Sequence, residues 1–141
     1  VANGLYKLYK QVVLGAGLNL SSGVVKATLI DAGNYTVNLT TDQYMNKDTI
    51  PLVARVGSNV TLASKTVALG VFNAANITFT AVSGASVEAI VIWVDGGGSG
   101  TSQSGTTDSL VVYIDTGTNL PVTPNGGDIV VAWNASGIFS F

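Results

Sequence analysis

Four aspartates in the second half of the chain, Asp95, Asp108, Asp115 and Asp128, are the residues left to do chemistry once others are eliminated. The sequence has no histidine and no cysteine, so imidazole and thiolate chemistry fall away and only carboxylates, Lys, Tyr and hydroxyls remain. Two carboxyl groups about 5 to 9.5 Å apart across a cleft would suit glycoside hydrolysis. Each of the four, however, falls at a predicted strand end or turn, where Asp ordinarily shapes the backbone. No catalytic residue and no enzyme activity are expected. Transition metals lose their best ligands for the same reason. Calcium could find oxygen ligands in segments 31–34 and 95–108, but neither has an EF-hand or repeat-type spacing. No metal or cofactor is expected.

Six Asn-x-Ser/Thr triplets begin at Asn19, Asn34, Asn38, Asn59, Asn76 and Asn134. Strand pleating, which sets polar residues two apart on a wet face, accounts for them more simply than glycosylation does. Trp93 and Trp133 could stack on a sugar, yet both fall in apolar stretches and read as core.

These residues must be carried by strands. From Val24 onward the chain consists of short β-branched segments cut by turn residues, with strands expected at 24–30, 35–40, 53–56, 59–68, 76–82, 87–94, 109–115, 128–133 and 137–141. In Asn76-Ile-Thr-Phe-Thr-Ala-Val the alternation gives one dry face and one wet face. Ala89-Ile-Val-Ile-Trp-Val is apolar on both faces and should be a central or covered strand. Only the start has a helical pattern, with Leu5, Leu8, Tyr9, Val12 and Val13 on one face. Asn3 is the expected cap and Gly15 and Gly17 the stop; residues 1–17 then form a helix packed over the sheet or an arm reaching to a neighbour.

The fold expected is one all-β domain over residues 1–141, a two-sheet antiparallel β-sandwich of jelly-roll or immunoglobulin-like topology with a short N-terminal helix. Residues 96–107 contain no apolar side chain and are expected to form a flexible glycine- and serine-rich loop. The loop Leu120-Pro-Val-Thr-Pro-Asn-Gly-Gly-Asp should be ordered, because two prolines stiffen the approach to an Asn-Gly step.

Charged residues make up 10% of the chain against 47% apolar ones, where an ordinary soluble domain has about 25% charged. Such a surface has little repulsion to keep copies apart, and self-association is expected. A net charge of −2 gives no footprint for nucleic acid. No apolar run approaches the ~20 residues that cross a bilayer, and the opening VANGLYKLYK does not read as a signal peptide. All six basic residues lie at or before Lys65, whereas five of the eight acids follow it. The two parts could meet between copies, or mix in space within one domain.

In order along the chain stand Asn3-Gly-Leu-Tyr, Val25-Lys-Ala-Thr-Leu-Ile-Asp, Tyr35-Thr-Val-Asn-Leu-Thr-Thr-Asp-Gln-Tyr, Ile77-Thr-Phe-Thr-Ala-Val-Ser-Gly, Tyr113-Ile-Asp-Thr-Gly, Leu120-Pro-Val-Thr-Pro-Asn-Gly-Gly-Asp-Ile and Ile138-Phe. The series resembles a family of small virion or head-associated proteins of tailed bacteriophages, and covers nearly the whole chain. The stretch from Leu120 to Ile129 is its most specific part. The sequence departs from that pattern in the long 96–107 insert and in its Ile-Phe-Ser-Phe ending.

The resemblance implies a structural role in the virion. The small size and sandwich reading point to a capsid decoration (cement) protein on the phage head surface, assembled in the bacterial host cytoplasm. It would form a homo-oligomer such as a trimer and bridge copies of the phage major capsid protein, with no nucleic-acid or membrane partner. Leu5, Tyr6, Leu8, Tyr9, Ile138, Phe139 and Phe141 are the candidate interface residues, since they place large apolar side chains near the chain ends. The alternative is a host-surface or polysaccharide-binding module of a tail or head fibre that uses the 96–107 tip.

Overall fold

A computed structural model describes residues 3–117 and 119–141. Strand outweighs helix 33% to 8% and the sheets are antiparallel, so the chain is mostly β. Ten strands and one α-helix follow in the order β1 (Gly4–Leu5), α1 (Lys7–Leu14), β2 (Val24–Ile30), β3 (Arg55–Thr61), β4 (Thr66–Ala68), β5 (Val71–Asn73), β6 (Ile77–Phe79), β7 (Ala89–Asp95), β8 (Ser109–Ile114), β9 (Ile129–Val131) and β10 (Phe139–Ser140). They form a five-stranded sheet β1-β8-β7-β2-β3, a three-stranded sheet β10-β5-β4 and a two-stranded sheet β6-β9.

The doubly apolar segment is the centre of the large sheet. Ala89 to Val94 of β7 are all buried, between β2 and β8. The register sets Leu29, Ile90 and Ile114 in one row across the sheet, and Ala27, Ile92 and Val112 in the next row of the same face. The opposite face carries Thr28, Val91, Trp93 and Tyr113. Trp93 is fully buried and its indole N–H donates to Thr28 Oγ1 at 2.9 Å, while the Thr28 hydroxyl donates to Asn59 Oδ1 at 2.6 Å. That chain satisfies polar groups whose burial would otherwise be costly.

The two differently charged parts of the sequence interleave: β2 and β3 come from the basic part and lie beside β7 and β8 from the acidic part. Lys26 and Asp95 pair across that boundary at 2.7 Å. The charges therefore mix within one chain.

Several expectations need correction. The alternating stretch 35–40 forms no strand. Asn38 Oδ1 accepts the N–H groups of Thr40 and Thr41, and Asp42 accepts the Asn38 N–H and the Tyr35 hydroxyl. Local side-chain bonds thus take the place of a ladder. The segment expected at 59–68 divides into the end of β3 and all of β4, and 53–56 becomes a 3₁₀ turn, Leu52–Ala54, leading into β3. Strand β5 was not expected. It pairs with β4 in a hairpin whose two-residue tip is Leu69-Gly70, with φ of 52° and 78°, and a large apolar residue is a poor signal for such a turn.

Helix α1 starts after Tyr6 with no side-chain cap. Asn3 instead accepts the N–H groups of Asp115 and Thr116 just beyond β8, while Gly4 and Leu5 pair with Tyr113 and Val112. The N-terminal segment is therefore packed on its own chain. Among the described residues no helix is long and apolar enough to cross a membrane.

Candidate functional site

Asp95 and Asp108 come together on the glycine run, Asp115 lies half-buried just after β8, and Asp128 follows the 120–127 loop. Asp108 is buried, and its carboxylate accepts the backbone N–H groups of Gly96, Gly98 and Gly100 at 2.8, 3.1 and 2.7 Å. Asp95 takes the alternate donors, Gly97 and Ser99, along with Lys26. The Lys26 ammonium, with these N–H groups, holds the Asp95 carboxyl down to about 2. Asp128 is exposed and accepts the Ala81 N–H. Three of these carboxylates thus fasten backbone. In segment 31–34, Asp31 likewise accepts the Gly33 N–H and the Asn34 amide. Among the described residues no group of three or more carboxylates is placed to hold a metal ion.

That arrangement gives the backbone of 96–107 partners that its composition did not announce. Alternate N–H groups of the run point to two different carboxylates, so the glycines supply a cradle of donors that side chains would obstruct. A Cβ on Gly98 would lie 2.5 Å from Asp108 Oδ2. Farther along, the Lys47 and Asp48 N–H groups donate to Ser102 and Gln103 carbonyls, and the Asp48 carboxylate accepts from Gln103 and Ser104. The loop is a folded cap over Met45 and Trp93, which Gly100 approaches closely. The loop at 120–128 is also held, by paired Val87 and Val122 and by bonds from Val82 to Gly127 and from Gly126 to Val82.

Three of the six triplet asparagines have a different explanation from pleating, whereas Asn59 lies in β3 and Asn76 borders β6. Asn19, Asn38 and Asn134 each accept the N–H of the residue two positions on, a Ser or Thr, which is the Asx turn. Trp133 lies beyond β9, half-buried, and its indole donates to the Ala75 carbonyl; unlike Trp93 it is not core.

The candidate interface residues are split by the fold. Tyr6 and Tyr9 are buried. The Tyr6 and Tyr35 hydroxyls lie 2.9 Å apart and Tyr35 donates to Asp42 at 2.7 Å; burial raises both phenols well above their ordinary value and pushes Tyr9 up to about 12. Both tyrosines point into the core, and Tyr9 ties the short helix α1 to it. Leu5, Ile138 and Phe139 are partly buried against the core, and Leu8 is half-buried. Phe141 remains 53% exposed. The chain ends do come together: Tyr9 meets Phe139 and Phe141 edge-on at 6.2 and 6.3 Å.

Of the candidate contacts only Phe141 is strongly exposed, and other exposed apolar residues lie near it. Leu69 at the β4–β5 tip is fully exposed, and Val67 on β4 is 55% exposed. Phe141 joins them, since its N–H donates to the Gly70 carbonyl at 2.8 Å. Beside them an apolar groove of about 630 Å³ is lined by Tyr9, Val13, Leu18, Val67, Phe72 and Phe141, among others. Leu69 could not be anticipated, because hydropathy does not reveal which leucine a turn will strand. A second, larger cleft of about 1210 Å³ opens between the large sheet and the segments carrying β9 and β10.

No protein-family model matches the chain, and no curated protein matches it significantly. The geometry offers apolar surface and a cleft, and Asp31, Asp42, Asp48, Asp95, Asp108 and Asp128 accept hydrogen bonds within turns and loops.

Proposed function

We propose that the chain is a non-enzymatic structural protein of a tailed-phage virion, a capsid decoration or cement protein that self-associates and bridges major capsid subunits from outside the head. In this reading β4, β5 and β10 together with β6 and β9 form the second layer of a β-sandwich over the five-stranded sheet. The observation that carries the proposal is Leu69. It is fully exposed and held at a φ of 52°, a conformation that disfavours it by about 1–2 kcal/mol. A strained, wet leucine is a poor choice for a lone domain and a good one for a contact that covers it. Phe141 and Val67 extend the same patch, and the scarcity of charge leaves little to repel a neighbour.

A polysaccharide-binding role has less support. The N–H groups at 96–100 are taken by Asp95 and Asp108, Trp93 is fully buried, and the half-buried Trp133 spends its indole N–H on the Ala75 carbonyl. Imaging of the intact particle tests the proposal: copies at regular sites on the head shell are expected, and copies on the tail, or none on the particle, would overturn it.

A further inference from the structure

Strand β4 is a bare edge. It pairs with β5 alone, and Thr66, Val67 and Ala68 are all exposed. The hairpin fixes which of its backbone groups are free. Ala68 and Val71 flank the two-residue tip and bond to each other, as residues beside such a turn do. Alternation then turns the N–H and C=O of Val67 away from β5. Phe72, which stands opposite Val67, accordingly gives its carbonyl to the Ile138 N–H on the β10 side at 2.8 Å.

Sheet edges are ordinarily blunted by charge, proline or a bulge. Strand β3, at the edge of the large sheet, carries Arg55 and a register shift opposite Ala27 and Leu29. Strand β4 has none of these. No charged residue lies between Lys65 and Glu88, and the Lys65 ammonium is turned back to the Gly23 carbonyl of its own chain. An edge with no charge has no electrostatic means of selecting a foreign strand, and against its own copy it brings no like charges together.

We infer that β4 pairs antiparallel with β4 of a second copy about a two-fold axis at Val67, which joins the three-stranded sheets of the two copies into one. The Val67 N–H of each copy donates to the Val67 carbonyl of the other, and the two valine side chains lie side by side across the axis. This register sets Leu69 opposite the partner's Lys65, whose aliphatic stem gives the wet leucine an apolar neighbour. The contact is isologous and closed, so it stops at two copies. It involves about five residues a side where a standard interface has 20–30, so the dimer is reversible, with a Kd on the order of 100 μM. The inference rests on the self-association in the proposed function and not on its setting in a virion; absence of the chain from particles would leave it standing.

The sequence has no cysteine, so single-cysteine variants of the full chain report the register without competing thiols. Thr66 and the partner's Ala68 form the pair that exchanges no backbone bonds, with Cα atoms about 4.5 Å apart, inside the range that a disulfide spans. Mild oxidation of a mixture of Thr66→Cys and Ala68→Cys chains at about 100 μM is expected to give a covalent dimer, at roughly five times or more the yield of either variant alone. Val67→Pro removes an N–H that β5 does not use, so it should weaken self-association in light scattering about tenfold while leaving the urea midpoint where it is. Cross-linking of each variant with itself as readily as with the other overturns the inference, as does association indifferent to Val67→Pro. Association with no cross-link between positions 66 and 68 overturns the inference and leaves self-association standing, whereas a chain that stays monomeric up to about 1 mM overturns both. Should Val67→Pro fail to fold, the cross-links decide alone.

Discussion

The glycine-rich loop and the β4–β5 tip are opposites in composition and in fate. Residues 96–107 have no apolar side chain, yet they are fixed, because Asp108 and Asp95 collect their N–H groups. Leu69 is a large apolar residue, yet it is fully exposed. Burial of apolar area therefore does not decide order in this molecule. A buried carboxylate can order backbone that has nothing to pack, while a tight two-residue turn can hold an apolar side chain out in water.

The comparison is broken most severely at its anchor. Asp108→Ala removes the acceptor of three N–H groups, one of them on buried Gly100. Charge-assisted bonds contribute about 1.5–3 kcal/mol each and water can replace those at the rim, so a loss of roughly 3–5 kcal/mol is expected in urea unfolding. A loss below about 1 kcal/mol would mean that the loop is not held by this carboxylate.

Next in size is Gly100→Ala. Gly100 has a φ of 68°, and a Cβ there would stand 3.0 Å from Met45 Cγ and from Trp93 Cη2. Left-handed strain and overpacking together should cost about 2–3 kcal/mol. A loss below about 1 kcal/mol would show that contact with Trp93 contributes nothing.

The same contrast explains what could be read from the sequence. Strand β7 was legible because burial on both faces demands uninterrupted apolar residues, and the sequence has them at 89–94, while β2 was legible from its β-branched and apolar run at 24–30 despite Lys26 and Thr28. Residues 35–40 were misread because Asx turns at Asn38 generate the same polar alternation as a pleated strand. The bonds of the 96–107 loop were not legible because composition reports side chains, whereas these bonds are made by backbone donors. A usable sign was present: aspartates bracket a run in which nearly every other residue is glycine. For the candidate contacts, periodicity found the apolar face of α1 but could not say that Tyr6 and Tyr9 point inward, a matter of how the chain ends pack.

A pH titration should show a smaller effect at the other anchor. Asp95 titrates lower when folded than when unfolded, owing to Lys26 and then the loop N–H groups. A depressed carboxyl contributes stability that is present above its unfolded value of about 4 and lost as pH falls toward about 2. Thermal stability should therefore fall over that window, and Asp95→Asn should shrink the fall. The pair is partly exposed, which limits the contribution to on the order of 1 kcal/mol. A variant with an unchanged acid limb would sink this assignment.

The smallest change in stability should carry the largest consequence for association. Leu69→Asn places the residue that type I′ turns favour ahead of Gly70, and removes an apolar side chain from water rather than from a core. The isolated chain should gain about 0.5–1 kcal/mol, read as a higher urea midpoint with an unchanged slope. If Leu69 is kept for a partner, the same variant should lose self-association by light scattering and fail to decorate particles that the native chain decorates. Stability given up at one exposed position in exchange for contact is the signature of a functional residue. A variant that is more stable and still associates as the native chain does would show Leu69 to be an unoptimised turn, and would move the search for the contact from the Leu69 side chain to the backbone edge of β4.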